Sequence, residues 1–380
     1  MSLDMDFFTC AELGDNIVNL TVVDIEGGTA NCSATLTITE PTSIWEVVGD
    51  SIYTTGLWDL MGDAIALSND GSRMAVAATP GDEVATNSGF VRVYENNAGT
   101  WNQLGADLVG EAAYDAFGRE IELSNDGSRL VASTPWNDEA GVSAGHMKVF
   151  EYNGGGWVQL GADIEGGIAN DNLGYASSIS GDGNRVAAGA PFSGLYGSFA
   201  GYVRVYEYDG SNWMQVGGDI VADSTGDRIG WSVELSQDGS RIAVGIPFTD
   251  INGDESGMVR IYGLIGNNWV QVGNDILGDL TEGWFGTEVS LSADGDRIAV
   301  GAERYSNPHF RNGRVTVFEL IGGSWVQMGS HIYGVRDYER IGIKNSISLS
   351  DDGIRLLVGE KRHNGDFPDF VSDIGRARLF

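Results

Sequence analysis

The sequence contains very little positive charge. Lysine occurs three times in 380 residues, and 22 basic side chains face 54 aspartates and glutamates, which gives a net charge of −32. Nucleic acids bind through basic patches, so this balance argues against a nucleic acid as a partner. An anionic membrane surface is disfavoured for the same reason, whereas an acidic surface stays soluble in salt and attracts cations. We therefore expect an extracellular or cell-surface protein.

Long apolar runs and the common catalytic motifs are also missing. No stretch approaches the roughly 18 apolar residues of a membrane helix, so we expect no membrane insertion. The chain has no H-E-x-x-H, phosphate-binding loop, dinucleotide fingerprint or nucleophile elbow, and its four histidines are isolated. A zinc site is therefore not expected. Some enzymes assemble their active sites from loops that are far apart in the sequence, so the missing motifs do not rule out an enzyme.

Cysteine is limited to Cys10 and Cys32. Two cysteines close together near one end of the chain are consistent with one disulfide in an oxidising compartment. Two free thiols in a cytosolic protein are the alternative.

What the sequence does contain is a regular repeat. Six tryptophans are spaced by 56 residues. They are Trp45, Trp101, Trp157, Trp213, Trp269 and Trp325. Such periodicity is the signature of a repeat architecture. It divides the chain into a segment 1–44 and six repeats over residues 45–380.

Each repeat carries the signals of four short strands. Seventeen residues after the tryptophan comes a glycine, as at Gly118, followed by an alternating strand such as residues 120–124. An Asp-Gly turn then reverses the chain, and a recurrent arginine opens the next strand. The third strand reads Gly-x-Val-Arg-Val-Tyr at residues 201–206. Four strands per unit without helical periodicity predict an all-β fold, a β-propeller of six four-stranded blades.

Ring closure agrees with this prediction. The strand at residues 45–48 has no partner before it, and the last repeat ends after its third strand, so the N-terminal strand can complete the sixth blade. Residues 1–44 would otherwise supply the strands of a seventh, irregular blade.

The repeats resemble the FG-GAP repeats of integrin α-chain propellers. The resemblance rests on the order Phe-Gly, a strand ending in residues 189–191 (Gly-Ala-Pro), and Gly-x-Val-Arg-Val-Tyr. It implies an adhesion module. That family often carries a calcium loop D-x-D-x-D-G between its first two strands, whereas this chain has S-x-D-G-x-R there, as in WD40-like repeats of bacterial surface proteins. Calcium at those turns is therefore not expected.

The N-terminal segment resembles the last strands of a hyalin-repeat or PKD-like immunoglobulin module. The similarity covers residues 6–40, with Cys10, the stretch 16–24, and Cys32 leading into residues 34–38. It implies a piece of a longer multidomain surface protein, monomeric in itself. It implies nothing about the ligand.

Residues that recur in every repeat are expected to be structural. The Ser, Asp and Arg of each turn, Ser68, Asp70 and Arg73 in the first, can satisfy turn amides and can form an Asp–Arg pair. The repeat tryptophans would pack between blades. Function is instead expected in the loops that differ between repeats, because variable loops on a rigid scaffold carry binding residues.

The variable loops supply the candidate binding residues. The loops between the second and third strands span about 79–88, 134–144, 191–200, 247–256, 303–312 and 360–374. Candidate anchors for a protein or glycan ligand are Trp58, Trp136, Tyr196, Phe199, Trp284, Tyr305 and Phe310. The alternative is that each aromatic packs its own loop. For Trp58 and Trp284, stacking on a sugar ring competes with plugging a blade edge.

One segment has calcium-like spacing. Asp250, Asn252, Asp254 and Glu255 offer oxygens at nearly alternate positions, as hard cations prefer. The segment lacks the terminal bidentate glutamate of a full calcium loop. Calcium is the one cofactor that the sequence suggests.

Two functions remain in competition. The first is a non-enzymatic binding or adhesion module that uses the variable-loop face, and the alternative is a carbohydrate-active hydrolase at the mouth of the central channel. The hydrolase predicts non-repeating residues converging on the channel, such as Glu303, Arg304 and Tyr305, with at least one carboxyl pKa shifted by burial. A purely structural spacer would present a flat polar face without aromatics.

Overall fold

The computed structural model describes residues 2–3, 14–23, 29–38, 49, 51–54, 59–360 and 376–380. All regular structure in these ranges is β-strand, and none of them contains a helix able to cross a bilayer. The chain divides into two compact units, Met1–Asp50 and Ser51–Phe380.

The first unit is a small antiparallel sheet in the order β1-β2-β3. Its strands are β1 (Ser2–Leu3), β2 (Gly14–Val23) and β3 (Thr29–Ile38). Cys32 lies in β3 opposite Leu20 of β2, and Cys10 lies outside the described residues. The disulfide and the immunoglobulin-module resemblance therefore stay predictions.

The second unit is a six-bladed β-propeller, as predicted. Each blade is one antiparallel sheet whose strands follow chain order from the central channel outwards. Blades 1 to 3 comprise β4 (Ala64–Leu67), β5 (Arg73–Ala78), β6 (Phe90–Asn97), β7 (Thr100–Gln103) and β8 (Leu108–Val109); β9 (Ile121–Leu123), β10 (Arg129–Thr134), β11 (His146–Tyr152), β12 (Trp157–Gln159) and β13 (Ile164–Glu165); β14 (Ala176–Ile179), β15 (Arg185–Ala190), β16 (Tyr202–Tyr208), β17 (Trp213–Gln215) and β18 (Ile220–Val221).

Blades 4 to 6 follow the same plan. They comprise β19 (Ser232–Leu235), β20 (Arg241–Ile246), β21 (Met258–Ile265), β22 (Asn268–Gln271) and β23 (Ile276–Leu277); β24 (Phe285–Leu291), β25 (Arg297–Ala302), β26 (Arg314–Ile321) and β27 (Ser324–Tyr333); β28 (Ile347–Leu349), β29 (Leu356–Glu360) and β30 (Arg376–Leu379). In blades 1 to 4 the outer strand comes in two pieces that both pair with the third strand.

Six blades are observed, and the N-terminal strands form a sheet of their own rather than a seventh blade. Three strands of blade 6 are described. The expected closing strand at residues 45–48 falls outside the described residues.

Four of the repeat tryptophans connect neighbouring blades, as expected. The indole N–H of Trp157 donates to the Leu104 carbonyl of the preceding blade at 2.8 Å, and that of Trp213 donates to Leu160 at 2.7 Å. Trp269 and Trp325 make the same bond to Val216 and Val272. Each bond satisfies a buried donor while the ring fills the space between two blades.

The recurrent glycine allows two blades to approach closely. Gly230 has φ +84°, and a Cβ there would lie 2.8 Å from Val203 and 3.1 Å from the Cα of Gly189. Both the left-handed backbone and the contact require glycine.

The recurrent turn is structural, with one correction. In blade 3, Ser180 donates to Asp182 at 2.7 Å and accepts from the Arg185 N–H at 2.9 Å. The arginine does not pair with the turn aspartate here: it binds Glu207 on β16 at 2.9 Å and the Gly239 carbonyl of the next blade. The expected Asp–Arg pair within a turn occurs in blade 6, between Asp352 and Arg355. In the other blades, the corresponding arginine forms an ion pair with a glutamate on the third strand of its own blade or with an aspartate in the turn of the next blade.

Ser180→Ala is expected to lower the free energy of unfolding by about 1–2 kcal/mol, because it leaves the Arg185 N–H without its acceptor in a part-buried turn. Ser211→Ala is the matched control, since this serine bonds Asp209 in an exposed turn. It should change stability by less than ~0.5 kcal/mol. Urea denaturation measures both stability changes as shifts of the unfolding midpoint at unchanged m-value. Equal midpoints for the two variants would contradict the prediction.

Candidate functional site

The central channel of the propeller is a cavity of about 710 Å³, lined by the innermost strands of all six blades. Four glutamates line it: Glu120 and Glu122 of blade 2, Glu234 of blade 4 and Glu288 of blade 5. They stand two or four residues after the recurrent glycine, where the other blades carry alanine or serine, except for Lys344 of blade 6. These carboxyls do not follow the repeat.

Enclosure in the channel changes their acidity. Burial raises the pKa of Glu122 to about 7 and that of Glu288 to about 8. Burial, together with the charges of Glu122 and Glu288, also raises the pKa of Glu234. Protein surrounds these groups, so their charged forms are poorly solvated. At neutral pH, Glu288 therefore keeps its proton and Glu122 is about half protonated.

Two of the four glutamates have a structural role. Glu122 accepts from the Ile179 N–H of the next blade at 2.8 Å, and Glu234 likewise accepts from the Leu291 N–H. Serines at the corresponding position do the same: Ser178 accepts from Leu235 at 3.0 Å. Glu122 and Glu234 thus bridge neighbouring first strands, whereas Glu120 and Glu288 stand nearer the channel mouth, outside this pattern.

Glu120 lies among cations. Its carboxylate is 3.2 Å from Lys344 and 3.5 Å from Arg119, and it accepts from the Asn345 side chain at 3.3 Å. Glu288 is electrostatically coupled to both Glu120 and Lys344 and accepts from the Asn345 backbone N–H. One carboxyl is therefore held in an ion pair beside another that keeps its proton. Such a pair suits general acid and base roles.

The mouth of the channel widens into a second cavity of about 620 Å³. Asp63, Thr79, Arg119, Trp136, Lys344 and Glu360 contribute to its lining. Polar groups of both signs beside an aromatic ring are typical of a site for a polar ligand of moderate size.

An aromatic arc continues round the mouth. Trp231 lies 4.9 Å from both Tyr175 and Phe248, and Phe248 lies 4.8 Å from Trp284. Tyr175 and Trp231 directly follow the recurrent glycine, which places them at the rim. Lys344 packs over Tyr175 at 5.0 Å and donates to the Trp231 carbonyl at 3.2 Å. The aromatic arc is thus in contact with Lys344, which pairs with Glu120.

The predicted binding aromatics divide into three groups. Trp136 lines the mouth. Tyr196, Phe199 and Phe310 are about half exposed, at 49%, 48% and 51%. Trp284 packs under Arg304 and donates to Glu255, so it serves as a plug. Tyr305 is buried against Tyr333 in blade 5. Trp58 lies outside the described residues.

The polar side chains of the segment with calcium-like spacing form hydrogen bonds with their own loop and with neighbouring segments. Asp250 accepts from the Glu255 N–H at 2.9 Å, and Glu255 accepts from Trp284 at 2.7 Å. The Asn252 side chain donates to the Gly278 carbonyl at 2.8 Å. Asp254 lies with Asp250 and Glu255 at a surface pocket of about 490 Å³. Calcium binding there stays a prediction.

A second cluster has the composition of a metal site but already holds a cation. Glu111, His146 and Asp163 offer ligand atoms within 4.8 Å of one another. The ammonium of Lys148 lies 2.5 Å from Glu111 and 3.4 Å from Asp163. Arg204 and Asp219 form the corresponding ion pair in blade 3. The lysine thus fills the place that a metal ion would take.

The sequence did not single out the channel glutamates, Lys344 or Arg119. The signal that identifies them is a departure from the repeat: carboxyls at two positions where the remaining blades mostly carry alanine or serine. Of the residues named for a hydrolase, Glu303 is buried and close enough to Tyr175 to raise its pKa.

Solved structures with the same fold come from several classes of protein. A Bacteroides uniformis protein described as a candidate 6-phosphogluconolactonase is 12% identical, with a TM-score of 0.53 over 95% of this chain and 90% of that one. The periplasmic gluconolactonase of Pseudomonas aeruginosa is 14% identical, with a TM-score of 0.52 over 90% and 85%. The hydrazine synthase of Kuenenia stuttgartiensis is 15% identical, with a TM-score of 0.52 over 82% and 78%.

At this level of identity the similarity shows the propeller fold alone. No protein-family model and no curated protein sequence gives a significant match to the chain.

Proposed function

We propose that this chain is a hydrolase that acts on a sugar derivative at the mouth of the central channel. The observation that carries the proposal is the pair formed by Glu120 and Glu288. One carboxylate is held by Lys344 and Arg119, and the other is buried with a pKa of about 8. The sequence predicts that an enzyme would bring non-repeating residues such as Glu303, Arg304 and Tyr305 to the channel, with at least one carboxyl pKa shifted by burial. The raised pKa of Glu288 agrees with the second part of this prediction, at a residue that the sequence did not single out.

The geometry supports a general acid–base hydrolysis. Glu288, protonated at neutral pH, would donate its proton to the leaving oxygen as the carbon–oxygen bond breaks. Glu120 would take a proton from the attacking water, whose hydroxyl joins the sugar carbon. Proton exchange with solvent restores both groups. Lys344 and Arg119 would hold Glu120 in place and offset developing negative charge.

The surroundings of the pair fit a sugar. The cavity of about 620 Å³ at the mouth accommodates a mono- or disaccharide. Trp136 offers an aromatic face beside the polar groups of this cavity. The fold similarity to two proteins named as gluconolactonases adds support for a sugar lactone as one substrate class.

The test is a hydrolysis screen with the full chain. Chromogenic glycosides and aldonolactones of neutral and acidic sugars are assayed from pH 5 to 9. We expect hydrolysis of at least one class, with kcat/KM falling as the pH rises past about 8, where Glu288 loses its proton. Absence of hydrolysis above the buffer rate in both classes would refute the proposal.

A binding or adhesion module is the second candidate. The half-exposed Tyr196, Phe199 and Phe310 on the variable loops favour it, as does the FG-GAP resemblance. Both candidates place the protein outside the cytoplasm, in keeping with its acidity and with the periplasmic gluconolactonase of the same fold. A glycan array probed with the wild type and with Phe199→Ala and Phe310→Ala variants separates the two. Binding lost in these variants while hydrolysis is unchanged would assign the loop face to adhesion.

A further inference from the structure

Five junctions between neighbouring blades share one backbone hydrogen bond on the face of the channel mouth. The residue two places before the recurrent glycine donates its N–H to a carbonyl in the preceding blade, in the loop between the second and third strands. The pairs are Ala116 to Asn87, Asn172 to Ser143, Arg228 to Phe199, Trp284 to Glu255 and Arg340 to Arg311, at 3.0–3.2 Å. Their side chains are therefore neighbours at every junction.

At two of these junctions the paired side chains attract each other. The Arg228 guanidinium packs on Phe199, 5.2 Å from the ring centre, and Trp284 donates to the Glu255 carboxylate at 2.7 Å. Asn172 and Ser143 are small and neutral. Arg340 and Arg311 are the exception, because two like charges occupy the shared positions. The fold does not require two arginines at these positions, because the other junctions form the same backbone hydrogen bond with other residues.

A third arginine lies beside the pair. Ser306 accepts from the Arg311 N–H at 2.8 Å and donates to the Arg304 carbonyl at 3.1 Å, so one short loop carries both arginines. The Arg304 guanidinium stacks on Trp284, 3.3 Å from the ring centre. Burial, and then the charges of Arg311 and Arg340, lower the pKa of Arg304. The three side chains therefore share one electrostatic environment.

These arginines lack the partners that others have. Arg92, Arg204 and Arg260 each bind an aspartate. Within the described residues, Arg304, Arg311 and Arg340 form no ion pair, and the Nε atoms of Arg304 and Arg340 are buried without a hydrogen-bond acceptor. Glu303 and Glu255 offset part of the charge at Arg304. In a chain of net charge −32, three clustered arginines without an ion pair among the described residues are unexpected.

We infer that Arg304, Arg311 and Arg340 form a binding site for an oxyanion of the ligand, and that the substrate is therefore an acidic sugar. Carboxylate, sulfate and phosphate share the chemistry that a guanidinium recognises, two oxygens accepting from its planar fork. Arg304 directly follows Glu303, which lies close to Tyr175 at the mouth. The site is thus at the rim of the proposed active site. The substrate class rests on the proposed function, whereas the anion site does not.

The test is isothermal titration calorimetry on the full chain with sodium sulfate, phosphate and glucuronate, each against sodium chloride at equal ionic strength. The double variant Arg311→Ser/Arg340→Asn carries the residue pair of the junction between blades 2 and 3, so it is expected to fold. Arg355→Ala is the control, because it removes one positive charge from the opposite end of blade 6. We expect the wild type and the control to bind at least one anion, and the double variant to bind it at least about tenfold more weakly.

The comparison of anions identifies the source of the negative charge. Tighter binding of glucuronate indicates a uronic or aldonic acid, and tighter binding of sulfate or phosphate indicates a sulfated or phosphorylated sugar. Binding no stronger than chloride in the wild type, or equal binding in the double variant, would overturn the anion site. The two proposals fail separately: Glu288→Gln should keep anion binding while losing hydrolysis, and anion binding by the wild type is measured without any turnover, so it can fail or succeed whatever the hydrolysis screen shows.

Discussion

Glu288→Gln is expected to lower kcat/KM for sugar hydrolysis by about 10²–10⁴-fold, the usual contribution of a positioned general acid. Glutamine preserves the size of the side chain and cannot deliver a proton to the leaving oxygen. The loss should be smaller for substrates with acidic leaving groups, because these need less protonation. Steady-state assays with glycosides that carry leaving groups of different pKa measure both effects.

The controls separate chemistry from folding. Glu207→Gln makes the same substitution on the outer side of blade 3, where Glu207 binds Arg185, and should leave the rate unchanged. Glu234→Gln changes a channel glutamate that bridges two strands, so it should alter stability more than rate. An equal loss of rate in Glu234→Gln and Glu288→Gln would show that the channel as a whole, and not Glu288, supports the reaction.

The sequence was sufficient for the fold because the signals recur. The tryptophan, the glycine and the Asp-Gly turn each appear in six copies at fixed positions, and each has a local physical reason. Trp213 donates to Leu160 across a blade junction, and Gly230 lies where a Cβ would meet Val203. A structural requirement that recurs six times can be recognised from the sequence alone.

The candidate site was missed because it is a departure from the repeat. Glu120 and Glu288 occupy positions in an alternating strand where a polar residue is unremarkable. Only ring closure brings blades 2, 5 and 6 together, and with them Glu120, Glu288 and Lys344. No pattern along the chain reports that proximity.

The aromatic residues of the loops show a second limit of prediction from the sequence. Trp284 and Phe310 both belong to segments outside the repeat, yet one is stacked under Arg304 and the other is half exposed. The direction of a side chain in a loop depends on the neighbouring blade, which the sequence does not identify. The sequence shows that the variable loops carry aromatics, but their separation into packing and surface residues required the structure.

The stability of the propeller is expected to fall by a few kcal/mol between pH 5 and pH 9. The folded-state pKa values of Glu122 and Glu288, about 7 and about 8, lie above the ordinary value of 4.5. The folded chain therefore binds more protons than the unfolded chain over this interval. This stabilisation is complete below about pH 4.5 and is lost as the pH rises through the folded-state values. Urea midpoints at pH 5, 7 and 9 measure it.

The double variant Glu122→Gln/Glu288→Gln should flatten this dependence, because an amide does not titrate, and Glu207→Gln should not. Below pH 4 the slope reverses. Hydrogen bonds to Ser72 and Ser68 lower the pKa of Asp70 to about 2, and corresponding bonds lower the pKa of Asp294. These turn aspartates favour the folded state above their ordinary pKa, and that contribution is lost as the pH falls through the lowered values. Maximum stability is therefore expected at about pH 4–4.5, and a midpoint that does not fall from pH 5 to 9 would contradict the raised pKa values of the channel carboxyls.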